Sequence, residues 1–443
     1  MRWGLATVAL TASIARADAQ VIPTPRELVM PPWNEQQVLM PTPLPNLSDP
    51  DRPPKVAPED VPIQQRVQPD YQAPGIRSGS WLFSPTLTAG TFYDSNVFSS
   101  ESSRQSDIAG LLGVDLRGHN SSEKDALAFR LNAQQTTYRQ HSGLNETDAS
   151  FKGTGRFELH HDFELLTALE AAYLHEGVGT LSSPVGAVEP TPYSLFSGDV
   201  TLRRQSGRTT TAVGVRADSY NYGSPHAQDG SIINQDARDG QVYTVHGRFD
   251  YAFSDKFAWF TAIEGNRRDL RGSPAQPLSS DGYRALTGFD VEFTHLIKGE
   301  IAAGYMAQHF TSAAIGNIEG PAYRAMLTWS PTRRLDVHFN AEQMVTESSD
   351  TSSTGIRADA LQLGFDYEFR PNIVLSSAAT YERDTFFGAD RADNVYFVDT
   401  RLKYLLNRFG TISIWHRYLL RDSNSPGISF DKHQVGIDAS ARF

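Results

Sequence analysis

From residue 81 to the end of the chain, apolar and polar side chains alternate with a period of two, segment after segment. Val435, Ile437, Ala439, Ala441 and Phe443 fall on one side of an extended strand, and Gly436, Asp438, Ser440 and Arg442 on the other. Leu127, Phe129, Leu131 and Ala133 alternate in the same way with Ala128, Arg130, Asn132 and Gln134. Leu361, Leu363, Phe365, Tyr367 and Phe369 alternate with Gln362, Gly364, Asp366 and Glu368. Period two is the strand period. The pattern predicts about eighteen strands: 81–93, 107–117, 125–138, 148–160, 163–175, 194–205, 209–222, 240–253, 257–268, 283–294, 300–310, 322–330, 334–346, 359–370, 373–384, 395–406, 410–420 and 430–443. A merged hairpin would make the count sixteen.

The connections sharpen this. Short turns are expected near Asn120, His161, Ser206, Ser254, Ile297, Pro331, Pro371 and Asn407. Between them lie longer polar or Gly/Pro-rich stretches: 94–106, 141–147, 176–192, 223–239, 269–282, 311–321, 347–358, 385–394 and 421–429. Strict alternation of short and long connections is the habit of outer-membrane barrels. A hairpin period of about 40 residues also fits a β-propeller blade, but no two hairpins share a motif. Aromatics such as Phe151, Phe253, Trp329, Phe369 and Tyr404 cluster near strand ends, and Phe443 closes the chain. Amphipathic rings favour that depth in a bilayer. The expected fold is all-β, a transmembrane antiparallel β-barrel surrounded by outer-membrane lipid.

The polar face carries charges at mid-strand. On the lipid side each would cost about 2–4 kcal/mol at mid-bilayer, so parity sends them into a lumen. The candidate pore-lining set is Arg130, Arg156, Glu158, Arg203, Arg216, Arg248, Asp250, Asp290, Arg324, His338, Asp366 and Arg401. Such charges filter solutes, or pair and brace the wall. Tyr138 and Phe260 are interior aromatics able to stack on sugar rings. The loops 176–192 and 223–239 are long enough to fold inward and narrow the pore.

The N-terminal part is different material. Met1–Ala19 reads as a secretory signal, with Arg2, an apolar run from Trp3 to Ile14, and Ala17-Asp18-Ala19 before the cut. Residues 20–80 hold 14 of the 25 prolines. Proline removes donors and favours extended backbone, so a disordered or semi-rigid periplasmic linker is expected. It serves as a passive spacer or as a contact for a periplasmic partner. The domains are then 1–19 signal peptide, 20–80 linker and 81–443 barrel.

Composition removes several classes. The net charge of −11 argues against a nucleic-acid partner. The absence of cysteine excludes disulfides, thiolate metal sites and Cys nucleophiles. There is no Gly-x-Ser-x-Gly, no His-Glu-x-x-His, and no lysine followed by Ser or Thr. No catalytic, cofactor-binding or metal-ligating residue is therefore assigned. His160-His161-Asp162 fits a polar turn better than a metal site. Asp336 and His338 share one face at i, i+2, as a plain polar lining does.

The segment Pro69-Asp70-Tyr71-Gln72-Ala73-Pro74-Gly75-Ile76-Arg77-Ser78-Gly79 leads into Trp81-Leu82-Phe83-Ser84-Pro85 and then Tyr93-Asp94-Ser95-Asn96-Val97-Phe98. It resembles the opening of the putative β-barrel porin 2 family in three parts: a Gly-Ile-Arg-x-Gly lead, a first strand with Phe-x-Pro, and a Tyr-Asp-x-Asn-Val-Phe turn. The resemblance implies an outer-membrane barrel behind a Pro-rich extension, in a family whose members often accompany exopolysaccharide production and export genes. It implies no catalytic residue. Read from the residues, Pro85 belongs at a bulge or a locally unpaired position, and Asp94 and Asn96 are turn formers. The expectation is a porin-like channel serving exopolysaccharide export or an associated envelope process, with polysaccharide-export partners reached through residues 20–80. A general diffusion porin, an outer-membrane hydrolase and a plugged structural barrel are the alternatives. The oligomeric state is open.

Overall fold

The computed structural model describes residues 62–66, 68, 70–120, 125–180, 183–254, 256–272, 278–294, 296–311, 316–346, 348–349, 353 and 355–443. The predicted signal segment and the linker up to residue 61 lie outside them. The strands are β1 (Ile76–Ser78), β2 (Trp81–Asp94), β3 (Asp107–Asn120), β4 (Asp125–Tyr138), β5 (Glu146–His160), β6 (Phe163–Glu176), β7 (Thr191–Ser206), β8 (Thr209–Tyr222), β9 (Gly240–Ser254) and β10 (Phe257–Leu270). They continue with β11 (Ser280–Thr294), β12 (Ile297–Phe310), β13 (Ile318–Thr332), β14 (Leu335–Thr346), β15 (Gly355–Arg370), β16 (Ile373–Phe387), β17 (Arg391–Leu405), β18 (Gly410–Ser423) and β19 (Phe430–Arg442).

Each strand from β2 onward pairs antiparallel with the next. β19 returns to β2, from Gln434 opposite Asp94 to Arg442 opposite Thr86. The result is a closed eighteen-stranded barrel without a free edge. β1 folds back on the start of β2, with Ile76 opposite Phe83 and Ser78 opposite Trp81. Gly79, at φ +59°, makes that turn in a conformation a side chain rarely adopts. Pro85 lies one residue beyond the end of the β2–β19 ladder, so its missing N–H leaves no gap there.

All eighteen predicted strands are present. Most are longer than expected, β4 and β8 match, and β14 and β19 are one residue shorter; they run from 12 residues in β14 to 16 in β7 and β15. The extra residues extend mainly on the loop side, where side chains are less apolar and alternation fades. Strict alternation of short and long connections therefore fails once: the stretch 385–394, expected to be a long loop, is mostly strand. Only residues 388–390 connect β16 to β17.

The outward parity is greasy. Leu112, Leu169, Val213, Val215, Val245, Ile263, Leu363 and Ile414 are all exposed. A water-soluble monomer rarely presents that much contiguous apolar surface; a bilayer accepts it. Rings gather near the short turns. Phe253, Phe257 and Phe289 stack in series, with centroids 5.6 and 5.0 Å apart, and Tyr367 meets Phe369 edge-on at 4.8 Å.

One ladder is incomplete. β13 and β14 pair only from Thr332 opposite Leu335 up to Arg324 opposite Glu342. Above that point β13 keeps its bonds to β12 as far as Ile318, and β14 keeps its bonds to β15 as far as Thr346. The loop end of β14 leans inward. Residues 341–346 are buried without alternation, and Arg268 of β10 donates to the Val345 carbonyl at 3.2 Å. Ser348 and Ser353, beyond β14, are buried too. Side chains close the seam instead: Tyr323 donates to Asp359 of β15 at 3.2 Å, and Gln343 to the same oxygen at 2.6 Å.

Candidate functional site in the lumen and its turn-side mouth

The polar parity faces the concave side, as contacts between non-adjacent strands demonstrate. Neighbouring strands lie about 4.8 Å apart, so side chains three strands apart meet only across the inside of a curved wall. Arg248 on β9 reaches Glu300 on β12 at 2.8 Å. Arg284 on β11 reaches Glu342 on β14 at 3.2 Å.

Arg248 gathers three carboxylates. Its Nε donates to Asp250 and its Nη2 to Asp290, both at 2.8 Å, while Nη1 takes Glu300. The guanidinium carbon lies over Phe260, 3.9 Å from the ring centroid. Planar, multi-donor geometry of this kind suits arginine and not lysine. Arg324 adds a 3.7 Å contact to Glu300. Phe260 is fully buried under Arg248, which corrects the expectation that it can stack on a sugar. Tyr138, the other interior aromatic, packs edge-on against Phe92 at 6.0 Å.

The remaining candidates form smaller pairs. Arg130 and Arg117 share Asp115. Arg156 and Arg203 share Glu164, at 3.1 and 2.8 Å. Arg216 binds Asp218 at 2.9 Å, and Arg401 binds Asp438 at 2.9 Å. Glu158 is exposed near the turn end of β5, opposite Glu164 in register. Sequence reasoning left Glu300, Arg284 and Asp438 out of the candidate set, although Asp438 stood on the polar side of the closing strand. Glu300 stood at the first residue of a predicted strand, where parity carries little force. The strand in fact starts at Ile297, which puts Glu300 well inside the wall.

The two longest loops are fastened to each other. Ala187 bridges Ala227, Val188 donates to the His226 carbonyl at 3.0 Å, and the His226 N–H donates to Glu189 at 2.8 Å. At their base Arg238 holds buried Glu176 through two bonds of 2.9 and 2.6 Å and covers the Tyr222 ring at 3.9 Å. Asp239, which closes the second loop, accepts the Tyr222 N–H at 2.7 Å, and burial pushes its carboxyl above the ordinary range. The Asp94 carboxylate accepts the Asn96 N–H at 2.9 Å, and the Asn96 side chain bonds Ser100 in both directions. The Asp94–Asn96 pair is thus a side-chain-stabilised turn.

At the opposite end, part of the proline-rich segment stands inside the barrel. Ile63–Gln65 forms one 3₁₀ turn after an extended Pro62. The Ile63 N–H donates to Asp336 of β14. Gln64 donates to Asp366 of β15 at 2.6 Å and to Ser376 of β16 at 2.8 Å. Arg66 pairs with Glu368 at 3.1 Å and donates to the Arg333 carbonyl. His338 completes the cluster, 2.8 Å from Asp366. Two candidates from the sequence, His338 and Asp366, therefore meet beneath a piece of chain that nothing in the sequence placed there.

No curated protein matches the chain. Among solved structures, Pseudomonas aeruginosa OccK5 (OpdH) aligns at 11% identity and a TM-score of 0.43, over 82% of this chain and 98% of that one. OccK2 (OpdF) from the same organism, solved in complex with glucuronate, aligns at 12% and 0.45 over the same shares. A mutant of the P. aeruginosa ferric enterobactin receptor PfeA aligns at 7% and 0.44, over 84% and 81%. The family described as Putative beta-barrel porin 2 matches residues 68–443, the whole barrel with its lead-in. With its closed greasy-walled cylinder and charged interior, the chain belongs to that family and is an outer-membrane, porin-like β-barrel.

Proposed function

We propose that the barrel conducts polar solutes, that the parity-assigned charges line its path, and that the Arg248 network sets its selectivity. One observation carries this reading: a single guanidinium on the lumen wall is bound by Asp250, Asp290 and Glu300 from three other positions. Eighteen strands leave room for an aqueous channel, and opposed charges across it act as a filter. The chain does no chemistry on its cargo. The finer reading is passage of exopolysaccharide or an associated envelope solute, with residues 20–80 contacting a periplasmic export partner. It is supported by the family resemblance and by a polar wall that suits a hydroxyl-rich polymer.

Planar-bilayer recording of the purified protein tests the channel. Discrete conductance steps, with a reversal potential in a salt gradient that moves in Arg248→Gln, are expected. A correctly folded barrel that passes no current overturns the reading. Loss of polymer secretion on deleting the protein from its cell supports the finer one; unchanged secretion removes it.

A further inference from the structure

The geometry points to residues 62–66 as a gate seated in the turn-side mouth, held by an acidic cradle on β14, β15 and β16. This rests on the channel reading. The segment touches the wall through donors of three kinds: a backbone N–H, a primary amide and a guanidinium. Each meets an acceptor on a different side chain, Asp336, Asp366 with Ser376, and Glu368. The contacts bridge positions 267 to 312 residues apart in sequence, so none follows from local chain geometry. Ile63 is buried and Asp336 is fully covered.

The chemistry of the contact makes it reversible. The segment adds no strand to the sheet, and between it and β1 the chain meets the wall where Arg442 donates to the Tyr71 carbonyl at 3.2 Å, which tethers residues 62–66 close to the mouth. If it leaves, Asp336, Asp366 and Glu368 face the mouth of the lumen, where water can take over each hydrogen bond. Exchange with water leaves each bond to a carboxylate a net value of about ten- to a hundredfold in the docking equilibrium, offset by the cost of ordering the segment. The ladder already joins β14 to β15 and β15 to β16 at this end, with one register shift between Glu368 and Arg370, so the segment is not needed to brace the wall. An occupant of a solute path with several polar contacts is what a displaceable plug requires. The acidic cradle fits a cationic, donor-rich segment, and Arg66 supplies the cation.

The cysteine-free chain makes a direct test clean. In the full-length protein, Gln64→Cys with Ser376→Cys, joined by a short bis-maleimide, locks the segment in place. Ile63→Pro, Gln64→Ala and Arg66→Ala together release it; each lost hydrogen bond to a carboxylate shifts the docking equilibrium about ten- to a hundredfold. Bilayer conductance is expected to fall severalfold on crosslinking, relative to the single-cysteine proteins, and to rise above wild type in the triple variant. Equal conductance in all of them overturns the gate and leaves the channel standing. No crosslink in the folded barrel also overturns it. No current from any variant, the released one included, removes the gate together with the channel.

Discussion

Arg248 and Glu300 lie three strands apart, and their side chains meet at 2.8 Å across the concave wall. The contact ties β9 to β12 without help from the backbone ladder. Arg248 also holds Asp250 and Asp290, so its removal leaves three carboxylates facing one another. A mostly buried charge left unpartnered costs roughly 3–5 kcal/mol. Arg248→Ala is expected to lower the temperature at which the barrel loses its compact band in detergent gels, and to shift the reversal potential toward cation preference. Arg248→Lys restores little, because one ammonium cannot address three acceptors in plane.

The buried Glu176–Arg238 pair fastens the bases of the two longest loops. Both side chains are almost wholly covered. Glu176→Gln breaks a charge-assisted two-bond contact and leaves a buried guanidinium with weaker acceptors, at a cost of roughly 3–5 kcal/mol. The loss is local, since the strands that carry these loops, β6 to β9, pair continuously with one another. Protease added from outside is expected to cut within 177–190 or 223–239 in the variant before it cuts the wild type, while the barrel core resists in both. Cleavage at equal rates would contradict the fastening.

Gly299 carries φ +150°, and a Cβ built there falls 1.9 Å from the Met326 carbonyl oxygen of the neighbouring strand. No rotation of a side chain relieves a clash with backbone. Gly299→Ala is expected to reduce the yield of folded barrel in a detergent refolding assay. Gly110→Ala, where nothing lies within 4 Å, serves as the matched control and folds like wild type.

The seam between β13 and β14 predicts a pattern of hydrogen exchange. Within 318–323 and 343–346, those amides that point toward the seam lack ladder partners across this one interface (Pro321 has no N–H), while the adjoining β12–β13 and β14–β15 ladders are complete there. Exchange measured by mass spectrometry is expected to be faster at these positions than at the loop ends of β16 and β17, whose ladder runs to Phe386 opposite Arg391. Tyr323→Phe removes a side-chain bond worth about 1 kcal/mol and is expected to speed it further. Uniform protection around the barrel would contradict the seam.

Much of this was legible in the sequence. Alternation located every barrel strand, because a wall with lipid on one side and polar groups on the other forces period two upon each crossing segment. The same parity placed Arg248, Asp250 and Asp290 together on one face. It misjudged strand ends, as at 385–394, because alternation weakens where the wall leaves the apolar layer. Lumen position was readable; partnership was not. Nothing local in Phe260 says that a guanidinium from β9 covers it, and nothing near Glu300 says which arginine it meets.

The chain alone therefore determined the place of each strand, the face most residues present and the ordering of short turns and longer loops, all of which are repeated, short-range consequences of transfer free energy. The tertiary structure decided the rest: closure of β19 on β2, the register that brings Arg248 to Glu300, the incomplete ladder where β14 bends inward, and the seating of Ile63, Gln64 and Arg66 against Asp336, Asp366 and Glu368. Those contacts join positions far apart in the chain, and only curvature of the closed wall brings them within hydrogen-bond reach.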